Sequence, residues 1–311
     1  MDLSVVICTY NGEARIGQVL DRVRSQLHTD SIAWEVLVID NNSHDNTKQV
    51  VSNYPDVRYV FEAEQGLAFA RSRAVQEAIG QWIAFLDDDT LPDENWVAQA
   101  YQFARNHSEI GAFGGQIHAE YEVEPPAGIK KLAPYLAIVE RGSKPHRYDR
   151  VLPPGAGLVV QRQIWLDTVP ETLVLIGRTT TAMLASEDIE AILHIQNSGR
   201  EIWYNPEMHL YHQIPHWRTE RSYLLKLVKG VGLARHHIRM TRWKAWQRPL
   251  ITLVYFANDL RKLIAHWLKF GRLPFGNLRS RPQNLEVICE QQLLVSSLVS
   301  PFYLRSLKQK A

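Results

Sequence analysis

The sequence predicts an α/β fold: a Rossmann-like, mostly parallel sheet flanked by helices, followed by a basic helical C-terminal region. Three observations predict it. Short apolar runs alternate with helical patterns through residue 86, three polar clusters fall just past the ends of those runs, and the charge changes sign along the chain. Leu3 to Cys8 reads as a strand, Gly17 to Leu27 as a helix, Trp34 to Ile39 as a strand and Thr47 to Asn53 as a helix. Val57 to Phe61, Gly66 to Ile79 and Trp82 to Leu86 continue the rhythm as strand, helix and strand. Ligands of parallel sheets gather at the carboxyl ends of the strands. Thr9-Tyr10-Asn11-Gly12, Asp40-Asn41-Asn42 and Asp87-Asp88-Asp89 all lie there.

From Gly111 the pattern loosens, with Gly114-Gly115, Pro125-Pro126 and Pro153-Pro154-Gly155 separating shorter segments. Ile189 to Gln196 reads as a helix opening near Ser186-Glu187-Asp188, where a serine cap and an acidic first turn suit the helix dipole. Beyond Pro215 the chain turns helical and rich in Arg, Lys and Trp. The division expected is a catalytic domain over 1–215, with halves of about 1–110 and 111–215, and a C-terminal region over 216–311.

The chain has 311 residues, 45% of them hydrophobic, enough to bury a core, so disorder is not expected. Cys8 and Cys289 are too far apart in sequence to suggest a disulfide framework or zinc spacing, which fits a reducing cytoplasm. The start lacks the basic and long apolar segments of a secretory signal. Net charge is +2, yet residues 212 to 311 hold 18 Lys and Arg against 4 Asp and Glu. That asymmetry implies an acidic catalytic part and a basic part that meets a polyanion: phospholipid, a diphosphate or nucleic acid. The best apolar run, Leu250 to Ala257, ends at Asn258-Asp259 and is too short to span a bilayer. Trp243 to Phe270 mixes aromatic and aliphatic residues with Lys and Arg. It reads either as an interfacial helix on an anionic membrane or as a basic helix packed on its own domain.

Three adjacent carboxylates at a strand end repel one another unless a cation sits among them, and hard oxygen ligands favour Mg2+ or Mn2+. A lone acidic triplet is better explained as a turn capping the next segment. The surrounding order argues otherwise: Thr9-Tyr10-Asn11-Gly12, then Asp40 to Thr47, Gly66 to Arg71, Phe85 to Asp89, and Glu187-Asp188. In these motifs the chain resembles glycosyltransferase family 2, whose members share the GT-A nucleotide-diphospho-sugar fold. The runs Glu124-Pro125-Pro126, Ile138 to Ser143, Leu152 to Gly157 and His209 to Pro215 are similar to the hormogonium polysaccharide glycosyltransferases of that family.

The resemblance implies an inverting transfer of a sugar from a nucleotide diphosphate, UDP by family likeness, to a saccharide or lipid-linked saccharide in cell-surface polysaccharide synthesis. It implies that Thr9, Tyr10, Asn11, Glu13, Asp40, Asn42, Arg71, Asp87, Asp88 and Arg218 bind the nucleotide sugar. It assigns Asp89, with His212, to the metal, Asp188 to general base and Glu187 to orienting the base or acceptor. Gly155, Ala156, Gly157 and Trp217 would face the acceptor. Ser72 replaces the asparagine that commonly follows the family's arginine. Each residue also has a plainer explanation, since Thr9 and Asp40 suit turns and Glu187-Asp188 suits a helix N-terminus.

Other classes fit less well. A nucleotidyltransferase would carry a glycine-rich, basic first loop, whereas here Glu13 follows Gly12, and a dehydrogenase would carry Gly-x-Gly-x-x-Gly after its first strand. A nonenzymatic nucleotide-sugar-binding or polyanion-binding scaffold could use the basic tail. Carboxylates at the sheet edge would repel a nucleic-acid partner, which is not expected.

Overall fold

A computed structural model describes residues 1–149, 151–177, 184–270 and 284–308. In chain order the elements are β1 (Leu3–Thr9), α1 (Ile16–Arg24), β2 (Trp34–Asp40), α2 (Thr47–Val51), β3 (Val57–Phe61), α3 (Leu67–Glu77), β4 (Trp82–Asp87), β5 (Thr90–Pro92), α4 (Trp96–Asn106) and β6 (Ala112–Tyr121). They continue with α5 (Ile129–Leu132), β7 (His146–Arg147), β8 (Val159–Gln161), α6 (Arg162–Thr168), α7 (Glu187–Asn197), β9 (Ile202–Ile214), α8 (His216–Thr219), α9 (Arg221–Thr241), α10 (Arg248–Phe270) and α11 (Leu285–Lys308).

The chain forms two compact units. The first takes in Met1–Glu122, Ala137–Ile176 and Glu187–Ile214 and holds the sheet, ordered β3-β2-β1-β4-β8-β6-β9-β5 with β7 beside β9. The four N-terminal strands pair in parallel, as their apolar runs predict. β1, β2 and β4 are mostly buried, because crossover helices cover both faces of such a sheet, whereas β3 at the end of the strand order is only half-buried. Leu3, Val5 and Ile7 of β1 point toward Val19, Leu20 and Val23 of α1 in the main core, with Val97 and Ala100 of α4 beside them. The register sets Thr9 opposite Asp40 and Cys8 opposite Asp87, so the three polar clusters emerge side by side.

The second half of the sheet differs from a simple continuation. β8 enters antiparallel between β4 and β6, and β9 runs 13 residues, parallel to β6 and antiparallel to β5. No strand is predicted over 202–214, because Asn205, Pro206 and two histidines, His209 and His212, interrupt any regular alternation. The structure accommodates Pro206 at a break in register between Gly114 and Gln116 of β6. Gly115 is needed there, since a Cβ would lie 2.3 Å from the Met208 carbonyl oxygen.

The second unit gathers the described parts of Val123–Leu136, Gly177–Ser186 and Pro215–Ala311. Its centre is the α9–α11 pair. Gly232 lets the helices approach, as a Cβ would meet Ser296 Oγ at 1.9 Å. Ser300 Oγ donates to the Leu233 carbonyl and accepts from the His236 amide. Arg239 of α9 clasps buried Asp259 of α10 with two hydrogen bonds, so α10 is fastened by charge as well as by Leu263.

Candidate active site

The loops after β1 and β2 are stitched together before any ligand is considered. The Asn11 amide donates to Ser43 Oγ at 2.8 Å, and Asn11 Oδ1 accepts from the His44 amide at 2.9 Å. The Gly12 amide donates to Thr47 Oγ1, while Glu13 accepts from the backbone and side chain of Asn46 at 3.1 and 2.9 Å. Asn11 (φ 47°) and Asn42 (φ 64°) adopt left-handed backbone that asparagine tolerates. Asn11, Glu13 and Asn42 therefore shape the loops.

Asp40 is buried at the end of β2, where its carboxylate accepts the Ser43 amide at 3.0 Å and the Tyr59 hydroxyl at 2.7 Å. Burial and the neighbouring carboxylate hold the Tyr59 phenol in its protonated form, above its ordinary pKa. Asn41 pins the following segment by donating to the Glu64 carbonyl and accepting from the Gly66 amide at 2.7 Å.

The acidic triplet divides into three roles. Asp88 turns back toward the first loop and accepts from Thr9 Oγ1 at 2.6 Å and from Arg15 Nε and Nη2 at 3.1 and 2.9 Å. Burial pushes its carboxyl up, Arg15 pulls it down, and Asp89 repels it. Gly12 lies against this arrangement, since a Cβ would stand 2.1 Å from Thr9 Oγ1 and 2.8 Å from Asp88 Oδ2. Tyr10 is half-buried beside it, and its carbonyl accepts from Arg15. Asp87 is 3.5 Å from Arg71 Nη2. Burial raises its carboxyl, Arg71 opposes the rise, and Asp89 adds to it. Asp89 faces His212, with Oδ2 3.7 Å from Nε2 and both side chains buried. This approach follows from strand pairing, because Thr90 of β5 lies opposite His212 of β9 and the Gln213 amide donates to the Asp89 carbonyl.

Arg71 is 3% exposed and joins two separate parts of the sequence. Its Nη1 donates to Glu187 Oε1 at 2.9 Å, and its guanidinium lies over the Phe85 ring. Burial works against the charge, but Glu187, Asp87 and Asp188 outweigh that and raise its pKa above the ordinary arginine value. Gly155 packs flat on this guanidinium, for a Cβ would sit 2.2 Å from Nη2. The Gly155 amide donates to Asp188 Oδ2 at 2.6 Å. Ala156 is buried, and Gly157 takes φ 70° while its amide donates to the Phe85 carbonyl. Gly155 thus abuts the Arg71–Glu187–Asp188 network. Glu190, one turn along α7, accepts from the Val174 and Leu175 amides at 3.1 and 2.8 Å and anchors that loop.

The clustered parts are a strand-end acid set, a buried arginine bridge and an acidic helix start, gathered at one sheet edge. The family model for "Glycosyl transferase family 2" matches residues 4–153, the stretch that supplies the first two of them. The matched stretch is a glycosyltransferase family 2 domain. It is 21% identical over 231 residues to glucosyl-dolichyl phosphate glucuronosyltransferase of Haloferax volcanii, covering 72% of this chain and 73% of that one. It is 35% identical over 99 residues to the UDP-Glc:α-D-GlcNAc-diphosphoundecaprenol β-1,3-glucosyltransferase WfgD of Escherichia coli, covering 31% of this chain and 36% of that one. Among solved structures it is similar to the mannosyltransferase PcManGT of Pyrobaculum calidifontis, determined with GDP-Man and Mn2+. There the TM-score is 0.59 at 20% identity, over 97% of this chain and 87% of that one. This last likeness concerns the fold, which is GT-A. The protein is a family 2 glycosyltransferase of glycan or polysaccharide biosynthesis.

Two residues expected at the glycosyltransferase site, Trp217 and Arg218, belong to α8 in the second unit. Trp217 is exposed and meets Tyr223 edge-on at 5.0 Å, and Arg218 stacks over the Trp217 ring. Sequence reasoning missed Arg15, Tyr59 and Asn41 as residues that set the site. Asn41 lies inside the Asp40-Asn41-Asn42 cluster, and Arg15 is signalled only as a cation four residues after Asn11. Tyr59 carried no signal, since a tyrosine in a strand is ordinary.

Proposed function

We propose that this glycosyltransferase moves a sugar from a nucleotide diphosphate to a saccharide or lipid-linked saccharide hydroxyl with inversion at the anomeric carbon. The observation that carries the reading is the Arg71 bridge, whose Nη2 lies 3.5 Å from Asp87 of the triplet and whose Nη1 lies 2.9 Å from Glu187, the residue before Asp188 at the start of α7. A donor held at the triplet thereby lies beside a carboxylate able to receive the acceptor's proton. The names of the two curated relatives, one citing UDP-Glc and both citing lipid-linked sugars, support a UDP-linked donor and such an acceptor.

The donor set fits Mn2+ or Mg2+. Asp89 supplies a hard carboxylate oxygen and His212 an imidazole nitrogen, both buried and close enough to share one ion. Among the described residues no third His, Cys, Asp or Glu joins them, which leaves coordination positions for diphosphate oxygens. When bound, the ion neutralises charge on the departing diphosphate. Thr9 and Asp40 border the nucleoside position, with Asp88 holding Thr9 in place and Tyr59 holding Asp40. Asp188 takes the proton of the attacking hydroxyl, oriented by the Gly155 amide, and Glu187 keeps Arg71 charged beside it. Attack opposite the leaving group inverts the centre without a covalent glycosyl-enzyme.

The decisive experiment presents a panel of nucleotide sugars with Mn2+ to the wild type and to Asp188→Asn. Transfer in the variant is expected to fall about 100-fold or more, with metal-dependent donor affinity unchanged. Equal loss of donor binding and turnover would remove Asp188 from the role of base.

A further inference from the structure

The α10 helix is built inside out. Its buried residues are Asp259, Leu263 and His266, with Asp259 held by Arg239 and His266 Nδ1 3.4 Å from Glu290. Its exposed residues include Leu250, Leu253, Val254, Leu260, Ile264 and Leu268, whose positions at about 3.6 residues per turn fall on one outward arc of the helix opposite Asp259, Leu263 and His266. Leu250 and Leu253 are each 67% exposed and Leu268 is 83% exposed. A solvated helix would carry polar residues on that side.

Charge decides what covers the stripe. Between residues 242 and 270 there are six Lys and Arg, namely Arg242, Lys244, Arg248, Arg261, Lys262 and Lys269, all exposed. The one carboxylate in that interval, Asp259, is buried and already paired. Trp246 stands 77% exposed at the head of the helix. A second copy of this chain would bring two such cationic surfaces together, which costs free energy, whereas an anionic lipid surface offers phosphates to the lysines and arginines and acyl chains to the leucines. No helix among the described residues is long and apolar enough to cross a membrane, so α10 lies along the surface instead of through it. We propose that the exposed face of α10 docks the protein on an anionic bilayer, with the Leu250–Leu268 stripe in the acyl boundary and the flanking Lys and Arg among the headgroups.

The test uses the full chain and two vesicle preparations, phosphatidylcholine alone and phosphatidylcholine with about one third phosphatidylglycerol. Sedimentation with the anionic vesicles only is expected. The double variant Leu253→Ser/Leu260→Ser lies on exposed positions and should keep the far-ultraviolet circular dichroism and melting temperature of the wild type while binding about tenfold or more weakly. Lys262→Gln/Lys269→Gln should weaken binding about tenfold or more, and added salt should weaken the wild type. The proposal is overturned if neither vesicle binds, or if anionic binding persists undiminished in the leucine variant, which would reduce it to diffuse charge attraction. It is equally overturned if the lipid-free protein is a dimer that the leucine variant dissociates while its binding to anionic vesicles is unchanged. Because the readout is binding, a failure here leaves the proposed transfer reaction intact, and the converse also holds.

Discussion

The sheet edge and the α10 helix depart from the ordinary burial rule in opposite directions. At the edge the buried side chains are charged, with Arg71, Asp88, Asp89 and Glu187 all removed from water, whereas on α10 the exposed side chains are apolar. Each departure costs stability unless something compensates it. At the edge the compensation is internal and visible, as Arg71 is shared by Glu187 and Asp87, and Asp88 by Arg15 and Thr9. On α10 the proposed compensation is an anionic lipid surface. The lesson is that buried charge is arranged for a ligand that enters, and exposed leucine for a surface that is met.

Breaking the sheet edge should have the largest effect. Asp89→Ala is expected to lower kcat/KM on the order of a thousandfold and to abolish the response of donor affinity to Mn2+, read by titration with and without the ion. Arg71→Met should come next, costing about 3–5 kcal/mol in urea unfolding, because it leaves Glu187 buried without its cation and takes the same cation from half-buried Asp87. A loss below about 1 kcal/mol would mean that water already reaches those carboxylates. A smaller effect follows from the raised Asp87 and Asp88 carboxyls. Charged carboxylates crowded in the folded state oppose folding at neutral pH, and that opposition fades as pH falls through their raised range. Mn2+ at about ten times its Kd should therefore add about 1.4 kcal/mol of stability at neutral pH. The gain should fade on acidification, beginning above the pH at which ordinary carboxylates titrate. A melting temperature indifferent to Mn2+ at every pH would contradict this. The smallest effect belongs to the other region: Leu253→Ser without lipid should shift stability by less than about 0.5 kcal/mol, since that side chain gives up little on leaving an exposed position.

The nucleotide half was legible because each strand announces itself locally. Apolar runs of five to seven residues end in Thr9, Asp40 and Asp87, and parallel pairing in register is enough to align those ends. The helix start at Glu187 was legible from its acids. β9 was not, because a strand that contains Pro206 is held by its neighbours and not by its own periodicity. The expectations for Trp217 and Arg218 rest on the family resemblance, and the structure assigns both residues to the second unit.

By itself the sequence determined the parallel βαβ start, the placement of three polar clusters at strand ends, and the concentration of positive charge beyond residue 212. All of these depend on residues near one another in the chain. Only the tertiary structure decided that Asp88 belongs to Arg15 and Thr9, that Arg71 spans to Glu187 across 116 positions, and that the leucines of α10 face outward. The physical reason is that a hydrogen-bond partner or a covered face is chosen by proximity after packing. Periodicity can state which side of a helix is apolar, but not which side is already occupied.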